Sequence, residues 1–308
     1  MSDFSQEFTQ HLINGISLGS IYALIALGYT MVYGILQLIN FAHSEVYMIG
    51  AFAAYYAVKI SSTIIGVDLA PGFATLVILI VVSMIVCSVL GLTIERLAYR
   101  PLRKAPKLNI LITAIGVSLL LQNAGQLLFG ADPKFFPNVM EDSTLASLGT
   151  AELRLFDVVV LGVGLFFMAA LTWMIQNTKT GKAMRAVSTN STVASLMGIN
   201  VNYIIGVTFV IGSSLAGVGA VLVGMKYPKI EPLMGALIGL KAFVAAVLGG
   251  IGSLGGAVLG GVLMGLCEEM VVAYLSSTYR DAFAFGLLIL VLIFRPAGLL
   301  GKSTQEKV

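Results

Sequence analysis

The chain alternates between long apolar runs and short polar interruptions, and most of the runs approach the roughly 20 residues that a membrane-crossing helix requires. Runs from about Leu12 to Leu36, Gly72 to Thr93, Leu108 to Phe129, Val158 to Ile175, Tyr203 to Met225 and Ala282 to Phe294 each predict a span. Gly15 and Gly19 form a GxxxG pair that predicts close packing of the first helix on a neighbour. Between Gln37 and Phe52 the pattern is interrupted by Asn40, His43, Ser44 and Glu45, after which helix resumes to about Lys59. Polar groups at that depth are costly, so they predict a break whose backbone they satisfy, a hydrated path that they line, or both. Ser61 to Ala70 reads as a loop, and Gln122, Asn123 and Gln126 are expected to face other helices. Gly206, Gly212, Ser213, Ser214, Gly217 and Gly219 form a small-residue surface on the span that carries them.

Gly235 to Gly265 is rich in glycine, with Gly252, Gly256 and Gly260 at four-residue spacing, so helices there are short, broken or tightly packed. Counting part of this region as re-entrant gives about eight spans, and counting it as two full spans gives nine. The expected fold is an all-α, polytopic transmembrane bundle with broken or re-entrant segments, a single transmembrane domain over residues 1–308. No internal repeat is apparent.

Composition agrees, with 58% hydrophobic and 11% charged residues and a mean hydropathy of +0.96. Charge then orients the chain. Arg96, Arg100, Arg103, Lys104 and Lys107 follow one span, and Lys179, Lys182 and Arg185 follow another. By the positive-inside rule both loops are cytoplasmic. The stretch between them, with Asp132, Glu141, Asp142, Glu152 and Asp157, suits the outer side. Counting back places the N-terminus outside, and Lys302 and Lys307 place the C-terminus inside. The net charge of +3 reflects loop bias, not nucleic-acid binding. MSDFSQEF lacks the basic start of a cleavable signal peptide, so the first apolar segment is expected to be retained.

The longest polar interruption on the cytoplasmic side is NTKTGKAMRAVSTNSTVASLMGINVN, Asn177 to Asn202. Asn190 and Ser191 are good N-caps and Gly198 a natural stop, so Thr192 to Met197 forms a short helix with Val193, Leu196 and Met197 on one face. A helix that short is unstable alone, so it rests on the protein, on lipid headgroups or on a partner.

Candidate chemistry is sparse. Cys87 and Cys267 lie in apolar runs and are expected to be buried and inert. His43 and Glu45, two residues apart, point to different helix faces, which disfavours a metal site. Lys241, Glu268 and Glu269 are candidates for a path or an internal ion pair, with snorkelling to the interface as the other reading for the glutamates. The tail LLGKST has the ending of a phosphate-binding loop, but Pro296 stands where its first glycine is required. With only His11 and His43, no catalytic set and no metal set is expected.

Four ordered stretches carry a resemblance: GYTMVYGILQLINFAHSEVYMIGAF (Gly28 to Phe52), ERLAYRPLR (Glu95 to Arg103), ASLMGIN (Ala194 to Asn200) and KAFVAAVLGGIGSLGGAVLGG (Lys241 to Gly261). They resemble the permeases of bacterial high-affinity branched-chain amino acid importers of the ABC class, most closely the shorter, Liv-type H permeases. The resemblance implies a multi-pass protein of the bacterial cytoplasmic (inner) membrane. It also implies partners: a second related permease, two cytoplasmic ABC ATPase subunits and an external substrate-binding protein that delivers leucine, isoleucine or valine. ATP and magnesium would belong to the ATPase chains, and no cofactor to this one. Residues 178–202 would be the coupling loop, with Gly181, Lys182, Arg185, Val193, Ala194, Leu196, Met197 and Gly198 serving the ATPase contact. Asn40, His43, Glu45 and Lys241 would line or gate the path. Family members often have Gly where this chain has Ser44. Related permeases carry urea, amides or other amino acids, and a stand-alone ion-coupled transporter is the reading from a different class.

Overall fold

A computed structural model describes residues 2–103, 105–148, 151–295 and 297–301. Lys104, Pro296 and the tail from Lys302 onward, with its GKST stretch, lie outside the described residues. The order is α1 (Ser2–Leu36), α2 (His43–Ile60), α3 (Phe73–Ile94), α4 (Arg100–Leu102), α5 (Lys107–Phe129), α6 (Leu155–Asn177), α7 (Lys179–Thr189), α8 (Ser191–Leu196), α9 (Val201–Lys226), α10 (Met234–Gly249), α11 (Leu254–Tyr274) and α12 (Arg280–Phe294). Four short strands, β1 (Lys134–Phe135), β2 (Thr144–Leu148), β3 (Ala151–Arg154) and β4 (Lys229–Ile230), pair antiparallel as β1 with β4 and β2 with β3. Among the described residues, seven helices are long and apolar enough to cross a membrane, the longest being Glu7–Leu36 and Phe73–Leu102. This is a polytopic helical bundle.

Several expected boundaries move. Ser61–Ile65 is a π-turn continuing α2 instead of loop, closed by the Gly66 N–H donating to the Ser61 carbonyl at φ +70°. The stretch after α3 is not loop either. A π-turn, Glu95–Tyr99, carries the helix on into α4, so Arg96 and Arg100 ride on a helical extension. Asn123 points outward and donates to Leu119 O of its own helix, the usual remedy for a polar side chain without a neighbour. Cys267 is exposed, because the buried stripe of α11 runs through Gly261, Met264, Gly265 and Glu268 and leaves it on the other face. Cys87 is buried, with its thiol toward the Val46 carbonyl.

The chain forms two compact units. The first comprises Met1–Thr30, Ser143–Met168 and Lys241–Val308. Here the GxxxG expectation is met: Gly15 and Gly19 of α1 abut the backbone of α11 at Gly261, Val262, Gly265 and Leu266. Gly256 and Gly260 of α11 likewise abut the end of α10 at Gly249 and Ala245. Gly250 and Gly252, at φ +107° and +93°, turn the chain between the two helices. Gly252 therefore belongs to the turn and not to the packed stripe. The last carbonyls of α10 are satisfied by chain from beyond α12, Leu299 N to Leu248 O and Leu300 N to Gly249 O, each 2.9 Å.

The second unit comprises Met31–Asp142 and Ala169–Leu240. Its centre is α9 against α3 and α2. Ser83 Oγ lies 2.9 Å from Gly50 O and 3.0 Å from Gly217 O, so one hydroxyl reaches the backbones of both neighbours of α3. A Cβ at Gly217 would fall on the backbone of Ser83, and one at Gly91 on Ser213. The small residues of α9 are what let these helices approach.

The interlock is testable within one helix. Gly265→Leu would drive its side chain into the α1 backbone and should cost at least about 2 kcal/mol. Gly255→Leu, which meets only open space, should leave stability nearly unchanged. Thermal unfolding in detergent with size-exclusion monodispersity checks the pair.

Candidate functional site

In the second unit, α6 ends and the chain folds back on itself at once. Thr178 caps α7, its Oγ accepting from Gly181 N at 3.1 Å while donating to Met174 O at 2.6 Å. Gly181 lies against the Met174 and Ile175 backbone, where no Cβ would fit. Arg185 donates to Ile175 O at 2.8 Å and Gln176 O at 3.3 Å, so its guanidinium satisfies carbonyls left open at the end of α6. Gly181, Met184 and Val187 form the buried stripe of α7, and Lys179 and Lys182 stay exposed. The polar loop expected at 178–189 is thus an amphipathic helix welded to α6.

The short helix forms where its caps predict. Asn190 Oδ1 accepts from Thr192 N and Val193 N, each at 3.0 Å, and opens α8. Gly198, at φ +83°, closes it, the left-handed conformation that L side chains adopt only at a cost. Ile199 N returns to Ala194 O at 3.0 Å, and Asn200 caps α9 by accepting from Tyr203 N at 3.1 Å. Ala194 is buried against the chain, whereas Val193, Leu196 and Met197 are 53%, 83% and 78% exposed. Of the eight residues expected to couple, Gly181 and Ala194 anchor the loop, Arg185 caps α6, Gly198 ends α8, and Lys182, Val193, Leu196 and Met197 are outward.

One set of contacts was not foreseen. Buried Glu95 forms an ion pair with Arg103, and Arg103 also donates to Asn202 Oδ1 at 2.6 Å. Burial pushes the Arg103 guanidinium below its ordinary value, and the Glu95 carboxylate works against that shift. The helical extension after α3 is thereby fastened to the first turn of α9, immediately beyond α8. An acid at the head of a run of bases was the available signal.

The interruption after α1 is a true break, with Gln37 at φ +53° and helix resuming at His43. Asn40 is buried and its Oδ1 accepts from Tyr99 OH at 2.9 Å. Ser44 Oγ donates to Phe41 O at 2.8 Å, which satisfies the broken backbone. His43 and Glu45 are buried in the first turn of α2. Glu45 Oε1 lies 3.3 Å from Ser118 Oγ and 3.4 Å from Ser44 Oγ.

Lys241 belongs to the first unit and a different network. Its Nζ is 2.7 Å from Glu268 Oε1 and 2.7 Å from Asp281 Oδ1. Arg280 Nε lies 3.1 Å from the same glutamate oxygen, and Tyr22 OH donates to Glu268 Oε2 at 2.8 Å. Glu268 does not snorkel: it is the buried centre of a charge-balanced cluster of two cations and two anions. Glu269, one residue on, faces His11 and Asn14 at 3.4 and 3.3 Å. Among the described residues no group of three or more His, Cys, Asp or Glu could hold a metal ion.

Comparison with known proteins bears on what this arrangement serves. The family described as branched-chain amino acid transport system, permease component, matches residues 11–292. The chain belongs to this family. The permease is 46% identical over 304 residues to the high-affinity branched-chain amino acid transport system permease protein BraD of Pseudomonas aeruginosa, covering 98% of each chain. It is 42% identical over 311 residues to LivH of Escherichia coli K12, covering 100% of each. A probable branched-chain amino acid transport permease LivH of Methanocaldococcus jannaschii is 28% identical over 96% of the permease and 93% of that protein. Its relatives are transport components and not enzymes, so the sparse catalytic chemistry of the permease needs no active site to explain it.

The Lys241 cluster yields a stability prediction. Lys241→Met should cost about 3–5 kcal/mol, because it breaks a buried pair and leaves the Glu268 charge undercompensated. Lys241→Met with Glu268→Met should recover most of that loss, since Arg280 and Asp281 then balance. Thermal unfolding of the purified variants in mixed micelles checks both.

Proposed function

We propose that this chain is the transmembrane permease subunit of an ATP-driven importer of branched-chain amino acids (leucine, isoleucine and valine) in the bacterial cytoplasmic membrane. The partners in this reading are a second related permease, two cytoplasmic ABC ATPase subunits and an external binding protein. Nucleotide chemistry belongs to the ATPase chains. The observation that carries the reading is the exposed Val193, Leu196 and Met197 face of α8, a rigid apolar knob of the kind that seats in a partner's groove.

Residues 178–202 are the coupling element within a single permease domain. Caps at Thr178, Asn190 and Asn200 and the stop at Gly198 make α7 and α8 one body with the ends of α6 and α9. A push on α8 therefore reaches α9 without being absorbed by slack, and passes through Asn202 and Arg103 to the extension of α3. Movement of these helices switches the path between outward-open and inward-open states. Asn40, His43, Glu45 and Lys241 are the polar groups proposed to line or gate it. Both basic loops face the cytoplasm in this reading, which puts the N-terminus outside and the C-terminus inside. Opposite ends require an odd number of crossings, which nine spans satisfy and eight do not.

Gly198→Glu should abolish ATP-driven leucine uptake while leaving membrane insertion intact, since any side chain there is strained and a carboxylate would stand beside the docking face. Wild-type uptake by that variant sinks the coupling assignment. Affinity purification of the permease from its native membrane should recover two ATPase chains and a second permease. Recovery of this chain alone, active under an ion gradient without ATP, points instead to an ion-coupled transporter.

A further inference from the structure

Two of the buried carboxylates of this permease, Glu268 and Glu45, differ in one respect. Glu268 is fully matched by cations and a phenol. Glu45 is equally buried, at 1% exposure, yet among the described residues the donors within reach are two neutral hydroxyls, Ser118 and Ser44, both on Oε1 and the second shared with Phe41 O. Among the described residues no Lys, Arg or His pairs with it, and Oε2 has no hydrogen-bond partner.

A buried carboxylate without a counterion is expensive unless something supplies the missing positive charge. The position in the first turn of α2 favours the anion through the helix dipole, by a fraction of what an ion pair contributes. The surroundings also differ from ordinary core. Gly235, in the first turn of α10, brings bare backbone against Glu45 Oε2 and Ser44 O. One turn along α2, Met48 lies against Gly125 of α5, with Pro232 also beside that glycine. Ser118 and Gly125 are seven residues apart and share a face of α5. Glycines at two positions and a flexible thioether, next to an unmatched carboxylate, make a junction that can yield to a small cation with an apolar branch.

We propose that Glu45 is the subsite that receives the α-ammonium group of the amino acid in transit, with Oε2 as the acceptor and the Met48, Gly125 and Pro232 side of the junction taking the apolar side chain. The inference rests on the reading of this chain as an amino-acid importer and assigns the charge recognition within it. Passage needs a weak and temporary pairing, and one uncompensated carboxylate held by two hydroxyls offers that where the saturated Glu268 cluster does not.

The test uses the complete importer, reconstituted in proteoliposomes with its binding protein and leucine, and reads leucine imported per ATP hydrolysed. Wild type is measured first: absence of ATP-driven import of leucine, isoleucine and valine overturns the importer reading and this subsite together. With wild type active, Glu45→Gln keeps the size and the acceptor for Ser118 but removes the charge. Its leucine-to-ATP ratio should fall about tenfold or more while ATPase stimulation by the loaded binding protein persists. A ratio within about twofold of wild type overturns the subsite alone, as does parallel loss of uptake and ATPase activity, the signature of a structural role. If Glu45→Gln fails to assemble, Glu45→Asp carries the test, because it retains the charge and withdraws it from the junction. A ratio reduced about threefold at unchanged ATPase activity is then expected, and an unchanged ratio overturns the proposal.

Discussion

Close approach of one backbone to another is the constraint on which this bundle depends. In lipid the hydrophobic effect gives helices little reason to associate, so contact must come from packing and from polar groups shared between helices. Gly15 and Gly19 against Gly261 and Gly265, and Gly256 and Gly260 against Gly249, bring α1, α11 and α10 to distances no larger side chain would permit. In the other unit Gly50, Gly91 and Gly217 do the same for α2, α3 and α9. Where a hydroxyl appears at such a contact it is shared, as Ser83 is between the carbonyls of Gly50 and Gly217. The many glycines of the sequence are therefore the packing code of the fold.

Having brought helices together without large side chains, the chain places its costly groups in three different ways. Ser44 satisfies a carbonyl of the broken backbone, and Asn40 within the break accepts from the Tyr99 hydroxyl. Lys241, Glu268, Arg280, Asp281 and Tyr22 neutralise one another. Glu95 and Arg103 work at the end of a helix, where their pairing fixes one segment to the next. Each solution removes a polar atom from lipid, but only the first and third hold backbone in a particular shape. The buried cluster at Glu268 is a weaker argument for stability than its bonds suggest, because desolvation consumes most of what the pairs return.

Helix existence was legible in the sequence because it depends on local hydrophobic runs, and α8 was legible almost to the residue because Asn190 and Gly198 act within one turn of themselves. Boundaries were less so. The π-turns at Ser61–Ile65 and Glu95–Tyr99 carry helix through residues whose polarity reads as loop: Ser61 and Ser62 bond back to carbonyls three residues earlier, and Glu95 and Tyr99 find partners outside the turn in Arg103 and Asn40. Helix α7 was hidden for a related reason: its amphipathic stripe of Gly181, Met184 and Val187 is narrow, and Arg185 read as a topology signal when it also caps α6. For Glu268 the sequence left an internal ion pair and snorkelling both open, and nothing local decides between them. Its partners lie 246 residues away at Tyr22 and 27 away at Lys241, and pairing over such separations belongs to the tertiary fold.

The same distinction between local and distant determinants explains how the segment proposed to couple is built. A surface that transmits force must be stiff on its own side and exposed on the other, and a six-residue helix has no stiffness of its own. The chain supplies it at the ends: an asparagine that holds two amides, a glycine in the one conformation that turns the chain tightly, and a second asparagine that starts the next helix within two residues of the turn. Buried Ala194 seats the helix on the chain, and the side chains that remain outside, Leu196 and Met197, are long and apolar. Polar side chains there would suit a face that meets only water. Large exposed apolar ones on so short a helix are what the proposed docking onto another chain requires.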